Sequence, residues 1–157
     1  NKKYYKGEEV GDIYVKSMTK LNSINCPPKF NSSAIDEFLI IFLVAAKAYG
    51  VSKFKDLGEM NKKESKRLDI SIKFLKLIGI KVERFQNDIN IYGKPNLTLS
   101  KNFEIKNFLK DHRVFFLSCI AALTLGGKWK INDKDAINSS FPNFLNILKN
   151  IGAKINW

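Results

Sequence analysis

The sequence predicts an α/β fold, in which helices pack on the faces of a β-sheet. Three observations predict it: β-prone stretches alternate with apolar runs of helical length, glycines separate the two, and one segment recurs. Residues 75–82 (LKLIGIKV) are repeated as LKNIGAKI at 148–155. Each copy is typical of a helix that ends at a left-handed glycine and continues as a strand. Such self-similarity indicates a duplicated supersecondary unit.

The first predicted unit spans about residues 11–93. Periodicity and turn residues predict a strand, a helix, a second strand, a second helix and a closing β-hairpin that turns at Gln86-Asn87. In chain order, we place these elements at 12–16, about 36–48, 51–55, about 62–78, 80–85 and 88–92. Because residues 38–45 contain almost no polar side chain, we expect the first helix to be buried.

The second predicted unit spans about residues 100–157 and follows the same order. Its elements are placed at 103–106, about 112–125, 128–132, about 141–150 and from Ala153 onward. The pattern is therefore β-α-β-α-β-β, complete in the first unit and nearly complete in the second. Strands that alternate with helices in this way predict a sheet covered by helices.

Length and composition limit the classes of protein to which the chain can belong. With 157 residues, of which 45% are hydrophobic, it can form one domain with a sizeable core, and a disordered class is excluded. The longest apolar run, 38–46, ends at Lys47 and is too short to span a bilayer, so we expect no membrane segment. The chain does not begin with Met, and we expect its first residue to lie inside a longer protein.

The two cysteines and the single histidine indicate neither a disulfide framework nor a metal site. Cys26 and Cys119 lie far apart, and Cys119 falls in an apolar helical run, so reduced thiols and a cytoplasmic location are expected. One histidine without suitably spaced acidic or thiolate partners cannot form a zinc site, so we predict no metal.

The net charge of +12 allows two interpretations. The lysines are scattered along the chain together with many Asn and Ile residues, which is typical of a genome biased towards these residues. The remaining charge favours anionic small-molecule substrates over nucleic acid. A basic nucleic-acid-binding module is the alternative to an enzyme.

Three charged segments stand at the predicted starts of helices: Asp36-Glu37, residues 63–67 (KESKR) and residues 111–113 (DHR). A helix start offers free N–H groups and the positive end of the helix dipole, both of which attract anions. Arginine binds a carboxylate or a phosphate through two parallel hydrogen bonds. The segments together predict a phosphorylated or carboxylated substrate, whereas each alone is also typical of helix caps and solvated ion pairs.

In order and spacing, four segments resemble the 5-enolpyruvylshikimate-3-phosphate synthase family. They are residues 35–38 (IDEF), 63–67 (KESKR), 111–113 (DHR) and 139–144 (SSFPNF). The resemblance extends from about Gly11 to Ile155 and corresponds to the last third or so of such an enzyme.

This resemblance implies a fold of two similar domains, each an inside-out α/β barrel of three β-α-β-α-β-β units. Residues 1–157 would be a partial C-terminal domain with two of its three units, and the N-terminal domain would be absent. The implied reaction transfers the enolpyruvyl group of phosphoenolpyruvate to the 5-hydroxyl of shikimate 3-phosphate and releases phosphate, with no metal or organic cofactor. Since the family site lies between the two domains, we expect this chain alone to be inactive and the full-length protein to be a monomer.

The resemblance also implies roles for residues of the charged segments. Asp36 would take the proton of the attacking hydroxyl, and Glu64 would protonate the methylene carbon of phosphoenolpyruvate. Lys63 would contact the sugar-like acceptor. Arg67 and Arg113 would bind phosphoenolpyruvate.

His112 would be a neighbour that orients this site. Several residues depart from the family pattern: Lys66 stands where the family usually has Asp, Asn61 where it usually has Arg, and Ser139 where some relatives have Lys. They put substrate affinity and the tuning of Glu64 in question. The alternatives to this function are a degenerate, non-catalytic paralogue and a relative of the enolpyruvyl transferase that acts on UDP-N-acetylglucosamine.

Overall fold

Within residues 3–156, which the computed structural model describes, two β-α-β-α segments follow one another and define an α/β fold, as predicted. The strands are β1 (Lys3–Tyr5), β2 (Glu8–Val10), β3 (Asn25–Cys26), β4 (Val51–Phe54), β5 (Lys81–Phe85), β6 (Asp88–Tyr92), β7 (Asn102–Ile105) and β8 (Lys128–Ile131). The helices are α1 (Phe38–Ala46), α2 (Arg67–Leu77), α3 (His112–Leu125) and α4 (Phe144–Asn150). Short 3₁₀ helices at Pro28–Phe30, Gly58–Lys62 and Lys134–Ile137 lie in the loops.

Each segment begins with two parallel strands that are connected through a helix. In the first segment, β3 pairs in parallel with β4, and Asn25 lies opposite Lys53. Strand β4 then pairs antiparallel with β6, and β6 pairs with β5 through a hairpin that turns at Gln86-Asn87 as predicted. In the second segment, β7 pairs in parallel with β8, and Phe103 lies opposite Trp129. The helices α1 and α3 are the crossovers, and their starts therefore lie in equivalent places.

The strand predicted at 12–16 was wrong. These residues form no strand in the described chain, and Ile13, Tyr14 and Val15 are 90%, 86% and 84% exposed. β-branched and aromatic residues favour strands because they fit a half-buried pleated surface, and this exposed segment has none to pack on. The first parallel strand of the unit is β3 instead, and the hairpin β1–β2 before it was not predicted.

Helix α2 begins at Arg67, later than predicted. The side chain of Asn61, which precedes the helix in the sequence, caps its first turn. Oδ1 of Asn61 accepts hydrogen bonds from the backbone N–H groups of Leu68 at 3.0 Å and Asp69 at 3.3 Å. These N–H groups lie in the first turn of the helix, where they have no partner within it. Residues 63–66 therefore form a loop ahead of the helix instead of its first turn.

The repeated glycine segment ends a helix in both copies, as predicted. Gly79 and Gly152 are left-handed, with φ of +81° and +102°. In each copy the residue after the glycine donates its N–H to the carbonyl five residues earlier at 2.9 Å, which is a Schellman ending. The chain continues as β5 after Gly79. The strand predicted from Ala153 was wrong for residues 153–156, which are irregular, and Trp157 lies outside the described residues.

An apolar core joins the two segments. Phe38 and Phe42 of α1, 0% and 1% exposed, pack against Phe54 of β4 with ring centroids 6.1 Å and 4.9 Å away. Phe115 of α3 belongs to the same core. Helix α1 is thus largely buried as predicted, although Ile40 and Ile41 are half-buried and Val44 is 48% exposed. This core fixes the starts of α1 and α3 relative to each other.

Both cysteines are free thiols, as predicted. Burial raises the pKa of the Cys119 thiol to about 12, so it is protonated at neutral pH and acts as a core residue. In the part of the chain that the structure describes, no helix combines the length and the apolar character needed to cross a bilayer. The unit boundaries at 11–93 and 100–157 and the absence of an N-terminal domain stay predictions.

Candidate active site

The three charged segments meet at the starts of α1, α2 and α3, with Arg67 at their centre. Its Nη1 donates to Oδ1 of Asp36 at 2.6 Å, and its Nη2 donates to Oε2 of Glu64 at 2.5 Å. Its Nε donates to Oδ2 of Asp111 at 2.9 Å. Asp36 and Asp111 are 31 and 44 residues from Arg67 in the sequence, so the fold alone brings these groups together.

Arg67 and Asp111 form the buried base of the site, with side chains 1% and 0% exposed. Asp111 also accepts hydrogen bonds from Oγ of Ser65 at 2.7 Å and from the backbone N–H of Arg113 at 2.9 Å, so it also caps α3. Burial acts to raise the pKa of Asp111, but the hydrogen bonds from Arg67 and Ser65 outweigh it and lower that pKa. Both partners are therefore ionised, and each compensates the buried charge of the other.

Asp36 stands at the mouth of the site, where 38% of its side chain is exposed. Nζ of Lys63 lies 3.5 Å from its Oδ1, and Nη2 of Arg113 lies 3.9 Å from its Oδ2. Partial burial acts to raise the pKa of Asp36, but the hydrogen bond from Arg67 and the neighbouring cations lower it overall. Asp36 is thus ionised at neutral pH and can accept a hydrogen bond or a proton from a ligand hydroxyl.

Arg113 and His112 begin α3 on the other side of this mouth. Nη1 of Arg113 donates to Oε1 of Glu37 at 2.9 Å, and 32% of the arginine side chain is exposed. The ring of His112 packs edge-on against Phe116, with centroids 5.9 Å apart. The role of His112 in orienting the site stays a prediction.

Arg67 has little capacity left to bind a ligand in this arrangement. A guanidinium has five N–H donors, and Arg67 makes four hydrogen bonds to three carboxylates. Lys63 and Arg113 are each 32% exposed, so a ligand from solvent meets these two cations first. The direct contact of Arg67 with a ligand stays a prediction, and it requires that one of the carboxylates be exchanged.

An open cleft of about 950 Å³ borders the site. The loop before α1, with Lys29 and Asn31, forms one wall, and the 3₁₀ helix Gly58–Lys62 with Lys63 forms the other. The lining is mixed: three lysines (Lys29, Lys62 and Lys63) lie beside two acids and several apolar side chains. The lysines can attract an anionic ligand to this cleft. Among residues 3–156, no group of three or more His, Cys, Asp or Glu side chains could hold a metal ion.

Comparison with known proteins identifies the family. The model of the family described as EPSP synthase (3-phosphoshikimate 1-carboxyvinyltransferase) matches residues 7–148. The chain belongs to the EPSP synthase family. The matched range contains Asp36, residues 63–67 and residues 111–113, so the resemblance based on these segments is confirmed.

Curated 3-phosphoshikimate 1-carboxyvinyltransferases match nearly the whole chain. The protein from Thermodesulfovibrio yellowstonii is 34% identical over 143 residues, which are 91% of this chain and 32% of the relative. The protein from Campylobacter jejuni subsp. doylei is 36% identical over 150 residues, which are 96% of this chain and 33% of the relative. The chain thus spans about a third of the length of the EPSP synthases that it matches.

Solved structures confirm the enolpyruvyl transferase fold. The EPSP synthase from Acinetobacter baumannii superposes with a TM-score of 0.85 at 25% identity, over 100% of this chain and 36% of that one. The enolpyruvyl transferase NikO from Streptomyces tendae gives a TM-score of 0.54 at 16% identity, over 77% of this chain and 26% of that one. The second likeness supports the fold alone.

Sequence reasoning missed several residues that build the site. Asp111 belonged to a recognised segment but had no role, although an Asp before an apolar helical run is a common cap signal. Ser65 and Glu37 carry no local signal, because their partners lie 46 and 76 residues away. Asn61, noted only as a departure from the family, is the cap of α2.

Proposed function

We propose that this chain is the C-terminal part of a 3-phosphoshikimate 1-carboxyvinyltransferase, which transfers the enolpyruvyl group of phosphoenolpyruvate to the 5-hydroxyl of shikimate 3-phosphate. The observation that best supports this is one cluster of acids and cations. Arg67 holds Asp36 and Glu64 on one guanidinium, and Lys63 and Arg113 lie beside Asp36. The reaction needs a proton acceptor, a proton donor and fixed positive charge at one place, and this cluster supplies all three.

The two acids suit opposite proton transfers. In the proposed addition step, the 5-hydroxyl attacks C2 of phosphoenolpyruvate, and the ionised Asp36 takes the hydroxyl proton as the new C–O bond forms. Glu64 is 56% exposed and in the structure accepts a hydrogen bond from Arg67, so in this step it would act in its protonated form, giving its proton to the methylene carbon, which becomes a methyl group. The Glu64 carboxylate then takes a proton back from that methyl group, the C–O bond to phosphate breaks and the double bond re-forms, and the departing phosphate takes the proton held by Asp36.

The two accessible cations suit the anionic substrates. Phosphoenolpyruvate carries a carboxylate and a phosphate, and a guanidinium such as that of Arg113 can bind a carboxylate through two parallel hydrogen bonds. The compact ammonium of Lys63, 3.5 Å from Asp36, would lie close to the acceptor hydroxyl that Asp36 deprotonates. Cations already in place need no reorganisation when charge develops in the transition state.

We also propose that the chain needs an N-terminal domain for activity. It spans about a third of the length of its relatives, and its cluster opens to solvent through Asp36, Lys63 and Arg113. A second domain over this mouth would exclude water and add phosphate ligands. The proposed full-length protein is a cytoplasmic monomer that acts on small molecules and binds neither nucleic acid nor membranes.

Release of phosphate from phosphoenolpyruvate and shikimate 3-phosphate by the full-length protein tests this function. We expect Glu64→Ala and Arg113→Ala each to lower kcat/KM by more than about tenfold, because both would remove groups that contact the reacting substrate. Glu104→Gln is the matched control, since this exposed carboxylate pairs with Lys130 at 3.2 Å on β7–β8, and its kcat/KM should stay within about twofold.

Three outcomes would contradict the proposal. The first is a wild-type protein that releases no phosphate, as expected of a degenerate paralogue. The second is a preference for UDP-N-acetylglucosamine over shikimate 3-phosphate. The third is binding to random duplex DNA that weakens steeply with salt, as expected of a basic nucleic-acid binder.

A further inference from the structure

The side chain of Glu37 bonds to Arg113 instead of capping its own helix. Glu37 is the N-cap residue of α1, yet its side chain makes no capping hydrogen bond. Its backbone carbonyl accepts the N–H groups of Ile40 and Ile41, which any residue could do. The Glu37 carboxylate therefore contributes little to the start of α1, and its described partner is an arginine 76 residues away.

Both terminal nitrogens of Arg113 already face carboxylates. Nη1 donates to Glu37 at 2.9 Å, and Nη2 lies 3.9 Å from Asp36. A carboxylate ligand bound in parallel by two guanidinium donors needs a free edge of the fork. A carboxylate that binds in parallel to Nη1 and Nη2 therefore competes with Glu37 for Nη1.

We propose that Glu37 determines the affinity of the site for phosphoenolpyruvate, as an internal carboxylate that competes with the substrate carboxylate for Arg113. This inference rests on the proposed function. In the structure Glu37 holds the guanidinium beside Asp36, and a bound substrate carboxylate would take over the contact with Nη1. Asp36 does not compete with the substrate for Arg113, because it is bonded to Arg67 at 2.6 Å and is the proposed acceptor of the hydroxyl proton.

The exposure of the Glu37–Arg113 pair determines how strongly it can change the affinity for phosphoenolpyruvate. The side chains of Glu37 and Arg113 are 56% and 32% exposed, so water screens their attraction and the pair is easily broken. Exposed pairs of this kind change an equilibrium by up to about fivefold. Removal of the Glu37 charge should therefore tighten phosphoenolpyruvate binding by about two- to fivefold.

Glu37→Gln in the full-length protein is the test, because glutamine keeps the shape and an acceptor oxygen while it removes the charge. We expect the KM for phosphoenolpyruvate to fall by about two- to fivefold. The kcat and the KM for shikimate 3-phosphate should stay within about twofold, since Glu37 enters no proton transfer. The midpoint of thermal unfolding should not move, because no capping bond is lost.

Glu104→Gln is the matched control, with the same change of charge in an exposed pair on β7–β8. Its KM for phosphoenolpyruvate should match the wild type. An unchanged or raised KM in Glu37→Gln overturns the inference, because Glu37 would then be neutral or would orient Arg113. An equal fall in both variants also overturns it, since net charge alone would explain the effect. A wild-type protein that releases no phosphate would contradict the proposed function itself, and this outcome is distinct from those that overturn the role of Glu37.

Discussion

The starts of α1 and α3 occupy equivalent places in the two β-α-β-α segments, yet they use their acidic residues in opposite ways. At α3, Asp111 is fully buried and accepts the backbone N–H of Arg113, so the acid caps its own helix. At α1, the N-cap residue Glu37 makes no capping bond, and Asp36 and Glu37 bond to arginines of α2 and α3. One copy of the repeat uses its acid to stabilise the fold, and the other leaves its acids partly exposed at the mouth of the site.

This difference shows how one copy of a repeated unit can do without a helix cap and still be stable. A missing N-cap costs a helix about 0.5–2 kcal/mol. Helix α1 compensates through burial, since Phe38 and Phe42 are 0% and 1% exposed, and burial of one such side chain contributes about 1.5–3 kcal/mol. Because burial stabilises α1, neither Asp36 nor Glu37 is needed as its cap, and both are free for the roles proposed above.

Asp111→Ala should have the largest effect of any change in this comparison. It removes the cap of α3 and leaves the guanidinium of Arg67, 1% exposed, without its buried partner. We expect a loss of about 3–5 kcal/mol in the free energy of unfolding, measured with denaturant. A loss below about 1 kcal/mol would show that Asp111 is no more structural than the acids of α1.

The same buried pair sets a pH dependence. The pKa of Asp111 lies below its ordinary value near 3.8, so its contribution to stability is present above that value and is lost as the pH falls through the pKa of the folded state. Asp111→Asn keeps an N-cap residue but has no charge to titrate. Its stability should therefore decline less than that of the wild type in acid, as followed by thermal unfolding between neutral pH and pH of about 3.

Asp36→Asn should show the reverse pattern at α1. Because Asp36 is 38% exposed, we expect the free energy of unfolding to change by less than about 1 kcal/mol. The kcat of the full-length protein should fall by at least about 100-fold, since asparagine cannot accept the hydroxyl proton. Retained activity together with a stability loss as large as that of Asp111→Ala would reverse the roles assigned to the two helix starts.

Asn61→Ala should have the smallest of these effects and extends the comparison to α2. Loss of the bonds to Leu68 and Asp69 should cost about 1 kcal/mol and speed amide hydrogen exchange at those two residues. Asn146→Ala is the matched control, because the side chain of Asn146 donates to that of the exposed Asn143 at 3.0 Å and caps no helix start, and it should change stability by less than about 0.5 kcal/mol. Equal effects in the two variants would contradict the capping role of Asn61.

Local signals predicted much of the fold. The boundaries of α3 and β6 agree with those predicted, and so do the left-handed glycines at 79 and 152, because each has a cap or turn residue that acts over a few positions. The strand at 12–16 was mispredicted because strand propensity indicates which residues suit a sheet and not whether a neighbouring strand is present.

The site was predictable only in part, for the same reason. The charged segments could be recognised one by one, and family resemblance indicated that they belong together. Their roles within the cluster depend on distance and burial: Arg67 is enclosed by three carboxylates, and Glu37 reaches Arg113 from another helix. No periodicity or spacing contains that information, because the partners come from distant parts of the chain.

The bond between Arg67 and Asp111 also limits how this protein can be recombined. It joins the two β-α-β-α segments across 44 residues, and both partners are buried. A hybrid of two relatives with its crossover between β6 and β7 takes the arginine from one parent and the aspartate from the other. Such a hybrid would keep the stability of its parents only when both carry the matching residue, so the two halves of this duplicated structure are best exchanged as a pair.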